Sequence, residues 1–280
     1  MAHDILRAYQ DKEGLHVVIV GAGLGGLACA LECRRGNPSL EVTVLERSPE
    51  ILPIGAGIQL PPNATRVMRH FGLLEKLKEV GAVTMQRHTL RRYSDGEVIV
   101  EKPLGERVRE IYGAEWLAEY QNLLLEEAQN AGARILKNAE VIGVDTNFDG
   151  DCGNCTVLLK DGRNIRADVV IGADGLWSRL REFIVGKQSP PSETGDLAYR
   201  GTFSREQLAL FQEERIIELV EASNIQVWMG PGKHVVFYPV RNKTEYNLVL
   251  LCPDNLPNGT RTMQGSLDEM ADNFKGWDPA

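Results

Sequence analysis

The stretch Gly21-Ala22-Gly23-Leu24-Gly25-Gly26 constrains this chain more than any other feature. It follows a short apolar run, His16-Val17-Val18-Ile19-Val20, which reads as a strand buried on both faces. A helix is expected from about residue 24 to 35, and a second strand over residues 41–46. Asn37-Pro38-Ser39 marks the turn between them. The result is a strand–helix–strand unit, which implies a parallel sheet. Glu46 closes the second strand, twenty residues past Gly26, and completes the G-x-G-x-x-G dinucleotide-binding fingerprint. Each part has a physical task. Gly21 permits the tight turn, Gly23 lets backbone approach a pyrophosphate, and Gly26 lets helix and strand pack closely. The helix N-terminus offers N–H groups to the anion, and the Glu46 carboxylate accepts ribose hydroxyls. The fingerprint alone does not choose between NAD and FAD.

The remainder reads as two interleaved regions. Helices are expected over residues 63–71, 73–80 and 115–131, the last strongly amphipathic, and a hairpin over 86–93 and 97–102. Short strands are expected over residues 133–136, 139–146, 156–160 and 164–166, and an apolar strand over 168–172. After residue 186 the texture changes to a run of strands, over 197–203, 215–220, 225–229, 234–240 and 246–252. A last helix begins near Ser266. The fold class is therefore α/β, a Rossmann-like domain with a parallel sheet interleaved with a mostly antiparallel β domain. The expected boundaries are 1–82 and 108–187 for the first, 83–107 and 188–265 for the second, and 266–280 for the start of a further helical part.

Several function classes are disfavoured. A formal net charge of −8 argues against a nucleic-acid binder. Asp4, Arg7, Asp11, Lys12 and Glu13 stand where a signal peptide needs its apolar core, so a cytoplasmic protein is expected. Residues 15–31 lack charge, but their glycines and strand-like first half speak against a membrane span. His3, His16, His70, His88 and His234 show no metal spacing, and no metal is expected. Cys29 and Cys33, one helical turn apart, read as packing residues. Cys152 and Cys155 read as free thiols, since no second ligand pair follows them.

Five segments together resemble the FAD-dependent aromatic-ring monooxygenases of the para-hydroxybenzoate and salicylate hydroxylase type, with an overall look closest to fungal enzymes of secondary metabolism. They are the Gly21–Gly26 turn, Glu46-Arg47, Gly55-Ala56-Gly57-Ile58, Gly172-Ala173-Asp174-Gly175-Leu176-Trp177-Ser178-Arg179, and Tyr199-Arg200-Gly201. Gly276-Trp277-Asp278-Pro279 is similar too. The resemblance implies FAD as cofactor and NAD(P)H as a transient reductant, since only one nucleotide fingerprint is present. With O2, such an enzyme hydroxylates a small aromatic or phenolic substrate through a flavin hydroperoxide. It further implies Arg47 near the adenosine end, Gly57 and Ile58 beside the flavin ring, Asp174 at the ribose–pyrophosphate region, and Arg200 as the catalytic cation. Ser178 also reads as a helix N-cap, which explains part of its motif without a ligand.

Two departures from the family pattern stand out. The helix expected at residues 115–131 lacks the family's opening His-Arg-Ala-Asp segment, and with it an arginine that contacts flavin. A Gly-Asp motif expected beyond Trp277 has no counterpart, so the chain reads as C-terminally truncated. Both departures favour a rival reading, a catalytically inactive paralogue. Another FAD oxidoreductase on the same fold, an epoxidase or a reductase, is a second alternative, and a plain NAD-binding protein a third.

Overall fold

The computed structural model describes residues 14–51, 58–112, 117–118, 121–146, 155–257, 259–260 and 262–279. In chain order the first elements are β1 (His16–Val20), α1 (Leu24–Gly36), β2 (Glu41–Leu45), β3 (Gln59–Leu60), α2 (Pro62–His70), α3 (Leu74–Glu79), β4 (Val83–Thr84), β5 (Arg87–Arg92) and β6 (Val98–Pro103). Next come α4 (Gly105–Tyr112), β7 (Leu117–Ala118), α5 (Gln121–Asn130), β8 (Arg134–Leu136), β9 (Val141–Asp145), β10 (Cys155–Leu159), β11 (Asn164–Ala167), β12 (Val169–Gly172) and α6 (Arg179–Val185). The last are β13 (Asp196–Ser204), α7 (Arg205–Ala209), α8 (Glu214–Glu221), β14 (Asn224–Gly230), β15 (Lys233–Val240), β16 (Glu245–Pro253) and α9 (Leu267–Asn273).

The chain divides into two compact units, residues 1–53 with 121–192, and residues 54–120 with 193–280. The first holds a parallel sheet ordered β12-β1-β2-β8. Apolar residues fill β1 because it is the inner strand of this sheet, covered on both faces. On one side Val18, Val20 and Leu45 pack with Val141, Val157 and Leu159 of the antiparallel sheet β11-β10-β9. On the other, α1 buries Leu27, Ala30 and Leu31 completely. Each fully buried leucine or isoleucine here contributes about 1.5–3 kcal/mol.

The second unit holds a six-stranded sheet, β13-β16-β15-β14-β5-β6, antiparallel except where β14 runs parallel to β5. One face carries Ile225, Val227, Tyr238 and Val240 against Met85, Leu104 and Val108. The other carries Trp228, Phe237 and Tyr246 against Val220 and its helix neighbours.

The parallel and antiparallel sheets match the sequence expectation, and several element assignments do not. Residues 215–220 form part of a helix, α8, not a strand. Its β-branched residues mimic a strand, yet Ile216, Leu219 and Val220 recur at helical spacing and meet the sheet while Ile217 stays exposed. The helix expected over 115–131 is α5, beginning at Gln121. Leu117, fully buried, instead sits in β7 between β3 and β4. Helices α4 and α7 were not expected. Ser204 and Gln207 start α7 with a reciprocal capping box.

The units also differ from the sequence-derived boundaries. Residues 54–82, 108–120 and 266–280 group with the second unit. For the last segment the cause is visible. The Asp278 carboxylate, almost fully buried, accepts from Arg215 Nη2 and from Trp228 Nε1 at 2.7 Å. Trp277 packs on Tyr93 and Phe274 with ring centroids 5.3 and 5.0 Å apart.

Candidate functional site

In the first unit the chain leaves β1 through Gly21, whose φ of +107° lies in the left-handed region. A Cβ at Gly21 would stand 2.3 Å from the Ala173 carbonyl oxygen, and one at Gly26 only 1.9 Å from the Gly21 carbonyl oxygen. The protein itself demands both glycines. Gly23 is different. Its backbone is extended (φ −73°, ψ 179°), a conformation open to any residue, and a Cβ there would meet nothing within 4 Å among the described residues. Neither its conformation nor any described neighbour requires a glycine at that position. Gly23 is the N-cap of α1 and supplies no side-chain cap, and no acid stands in the first turn. The leading N–H groups of α1 therefore have no intrahelical acceptor, and the helix dipole places its positive end there. A phosphate fits that cradle.

Glu46 lies just past β2. One carboxylate oxygen accepts the Ala22 N–H at 3.0 Å and the other the Ser48 N–H at 2.9 Å. The side chain thus holds the glycine turn to the segment after β2. Each oxygen keeps a second lone pair for a ribose hydroxyl. Arg47 is exposed. With Lys160 and Arg179 it surrounds Glu140. The Lys160 hydrogen bond, at 2.8 Å, chiefly holds that carboxyl below its usual range.

Asp174 follows β12 at the carboxyl edge of the parallel sheet. Its Oδ1 accepts the Ser178 hydroxyl at 2.6 Å, and its Oδ2 accepts the N–H groups of Arg179 and Leu180 at 2.7 and 3.1 Å. Ser178 Oγ in turn accepts the Arg181 N–H at 2.9 Å and caps α6. The aspartate therefore fixes the turn from Ala173, which itself abuts Gly21. The helix-capping part of this motif was legible in Ser178. The contribution of Asp174 to the same cap was not.

Gly57 lies outside the described residues. Ile58, beside it, is exposed. Arg200 lies in the second unit, on β13, paired with Val249 of β16 and exposed. Two residues along, Thr202 pairs with Asn247, which pairs with Tyr238. Period-two alternation places Arg200, Asn247 and Tyr238 on one sheet face. Asn247 Nδ2 donates to Tyr238 Oη at 2.6 Å, and the buried Asn247 Oδ1 has no partner. Burial raises the Tyr238 pKa, against the Asn247 hydrogen bond and the Arg200 charge, which lower it. Sequence reasoning missed Tyr238 and Asn247. The one available signal was a polar Asn247 inside the apolar run of β16.

The FAD binding domain family matches residues 14–276. The chain belongs to that family of FAD-binding proteins. It is 37% identical over 275 residues to the FAD-dependent monooxygenase OpS4 of Beauveria bassiana, covering 96% of this chain and 62% of the relative. It is 32% identical over 266 residues to 3-hydroxybenzoate 6-hydroxylase 1 of Aquipseudomonas alcaligenes, covering 93% of this chain and 63% of that enzyme. The chain thus spans less than two thirds of the length of these relatives. Its fold matches Klebsiella pneumoniae HpxO, solved with FAD and uric acid, with a TM-score of 0.76 at 23% identity over 95% of this chain and 63% of that one. Within this FAD-binding family the residues present fit the cofactor. Gly23 leaves open the volume a side chain would fill, beside an uncapped helix N-terminus. Among the described residues, no three His, Cys, Asp or Glu side chains group as a metal site, and no helix is long and apolar enough to cross a membrane.

Proposed function

We propose that the protein is an FAD-dependent monooxygenase that uses NAD(P)H and O2 to hydroxylate a small aromatic or phenolic molecule of secondary metabolism. The observation that carries this reading is Gly23, a glycine that its conformation and its described neighbours do not require, at the N-terminus of α1, which has no side-chain cap. The aromatic substrate class rests on the relatives, one named for 3-hydroxybenzoate and another for 3-amino-4-hydroxybenzoate.

In this reading the α1 N-terminus and the Gly23 backbone receive the pyrophosphate, and Glu46 accepts ribose hydroxyls. Asp174 holds the Ala173 turn, and through it the Gly21 loop, in register with the cofactor. Arg47 lies at the adenosine end, and Gly57 with Ile58 beside the flavin ring. Bound FAD supplies the redox chemistry that draws electrons from NAD(P)H and passes them to O2. Arg200 supplies a permanent cation that orients a substrate carboxylate or phenolate and offsets developing negative charge. Tyr238 and Asn247 stiffen the sheet face on which it stands. A cytoplasmic setting, where NAD(P)H is available, suits this chemistry.

The test is to load the purified chain with FAD, desalt it, and record the visible spectrum and flavin fluorescence. Retained, quenched flavin, lost in Glu46→Ala, is the expected result. Folded protein that retains no flavin would sink the reading for this chain and favour the inactive paralogue. Flavin retention without NAD(P)H oxidation on hydroxybenzoates would point to a different flavin oxidoreductase.

A further inference from the structure

The dinucleotide site uses the N-terminus of α1 and leaves unused a pair of thiols in the middle of that helix. Cys29 and Cys33 are four residues apart, so their side chains rise from one face on successive turns. Both are free and half-buried. They lie on the shoulder of the helix, between its buried stripe (Gly26, Leu27, Ala30, Leu31) and solvent-facing Gly25 and Glu32. The two thiols lie close enough to influence each other's ionisation. Burial first, and then the Cys33 neighbour, pushes Cys29 up to about 11. Cys29 is therefore a protonated, poorly nucleophilic thiol at neutral pH, resistant to reagents that attack one sulfur at a time. Such a pair favours a soft centre that takes both sulfurs at once.

A disulfide is a poor fit. It needs sulfurs about 2.05 Å apart and Cβ atoms about 3.8 Å apart, whereas successive helical turns hold Cβ atoms roughly 5–6 Å apart. An atom bridging the sulfurs closes that gap without unwinding the turn.

We propose that Cys29 and Cys33 form a chelating site for thiophilic trivalent arsenic, taken up as an organoarsenic(III) oxide. In the reaction two S–As bonds form and the arsenic–oxygen bonding is lost. The oxygen leaves as water with the two thiol protons, and no atom changes oxidation state. Cys33 attacks first, and Cys29 closes the ring intramolecularly. The high local concentration of the second thiol makes the bidentate adduct far tighter than either single bond.

The test uses phenylarsine oxide on the purified chain without flavin, so its outcome is independent of the proposed function. Because Cys152 and Cys155 form a second sequence-adjacent pair, the parent is the C152S/C155S variant. Expected are one phenylarsenic group per chain by intact mass, loss of two titratable thiols, and reversal by a dithiol but not by an equivalent monothiol. Cys29→Ala or Cys33→Ala in that background should weaken uptake on the order of a hundredfold. Circular dichroism checks that each remains folded. Peptide mapping of the arsenic adduct on the unsubstituted chain gives a second, mutation-free location. Absence of the adduct from the C152S/C155S variant, undiminished uptake by the alanine variants, or mapping elsewhere each overturns the proposal.

Discussion

The glycine turn of the first unit and the sheet face of the second are assembled in opposite ways. The turn draws Gly21, Gly23, Gly26 and Glu46 from one strand–helix–strand unit, with Ala173 and Asp174 added from the segment after β12. Its roles follow from local geometry. Two glycines are required by the protein's own atoms and one is not. The sheet face joins Arg200, Tyr238 and Asn247 from three strands, and only cross-strand register makes them neighbours. A motif of the first kind is portable and readable. A site of the second kind exists only once the sheet has formed.

The comparison predicts graded effects. Gly26→Ala should be the most damaging, because its Cβ would lie 1.9 Å from a backbone oxygen that cannot rotate away. A loss of about 3 kcal/mol or more is expected by denaturant melts, with flavin binding lost alongside. Asp174→Ala removes the acceptor for a hydroxyl and two N–H groups at the start of α6, and should cost about 2 kcal/mol. Unchanged stability in that variant would mean Asp174 serves a ligand alone.

Gly23→Ala sharpens the contrast within the turn. Stability should stay within about 0.5 kcal/mol, while FAD affinity falls about tenfold or more, roughly 1.4 kcal/mol. Equal loss of stability and affinity would erase the distinction between Gly23 and its neighbours. On the sheet face, Tyr238→Phe strips Asn247 Nδ2 of its acceptor and should cost about 1 kcal/mol. Adding Asn247→Leu should recover most of that loss, since both ends of a buried amide are then gone. Additive destabilisation in the double variant would show that the pair is not coupled.

The strand–helix–strand unit was readable because its signals are short-range: an apolar run, a glycine turn, a proline turn and an acid at fixed spacing. The sheet strands of the second unit were readable from alternation and turns. Residues 215–220 misled because β-branched content outweighed a helical period spanning only two turns. Residues 117–118 misled because a strand of two residues has no period of its own. Its pairing with β3 and β4 is a tertiary fact. Gly276-Trp277-Asp278-Pro279 was recognisable as a motif. Its use, a buried carboxylate holding Arg215 and Trp228, was not.

The sequence by itself determined the dinucleotide turn, the parallel and antiparallel halves, and the family to which the chain belongs, because backbone sterics and hydrophobic period act over a few residues. Only the tertiary structure decided that Gly23 has no close neighbour among the described residues, that Asp174 caps a helix, and that Tyr238 and Asn247 stand on the face of Arg200. Those facts depend on which distant atoms occupy the same few ångströms, and no local pattern encodes that.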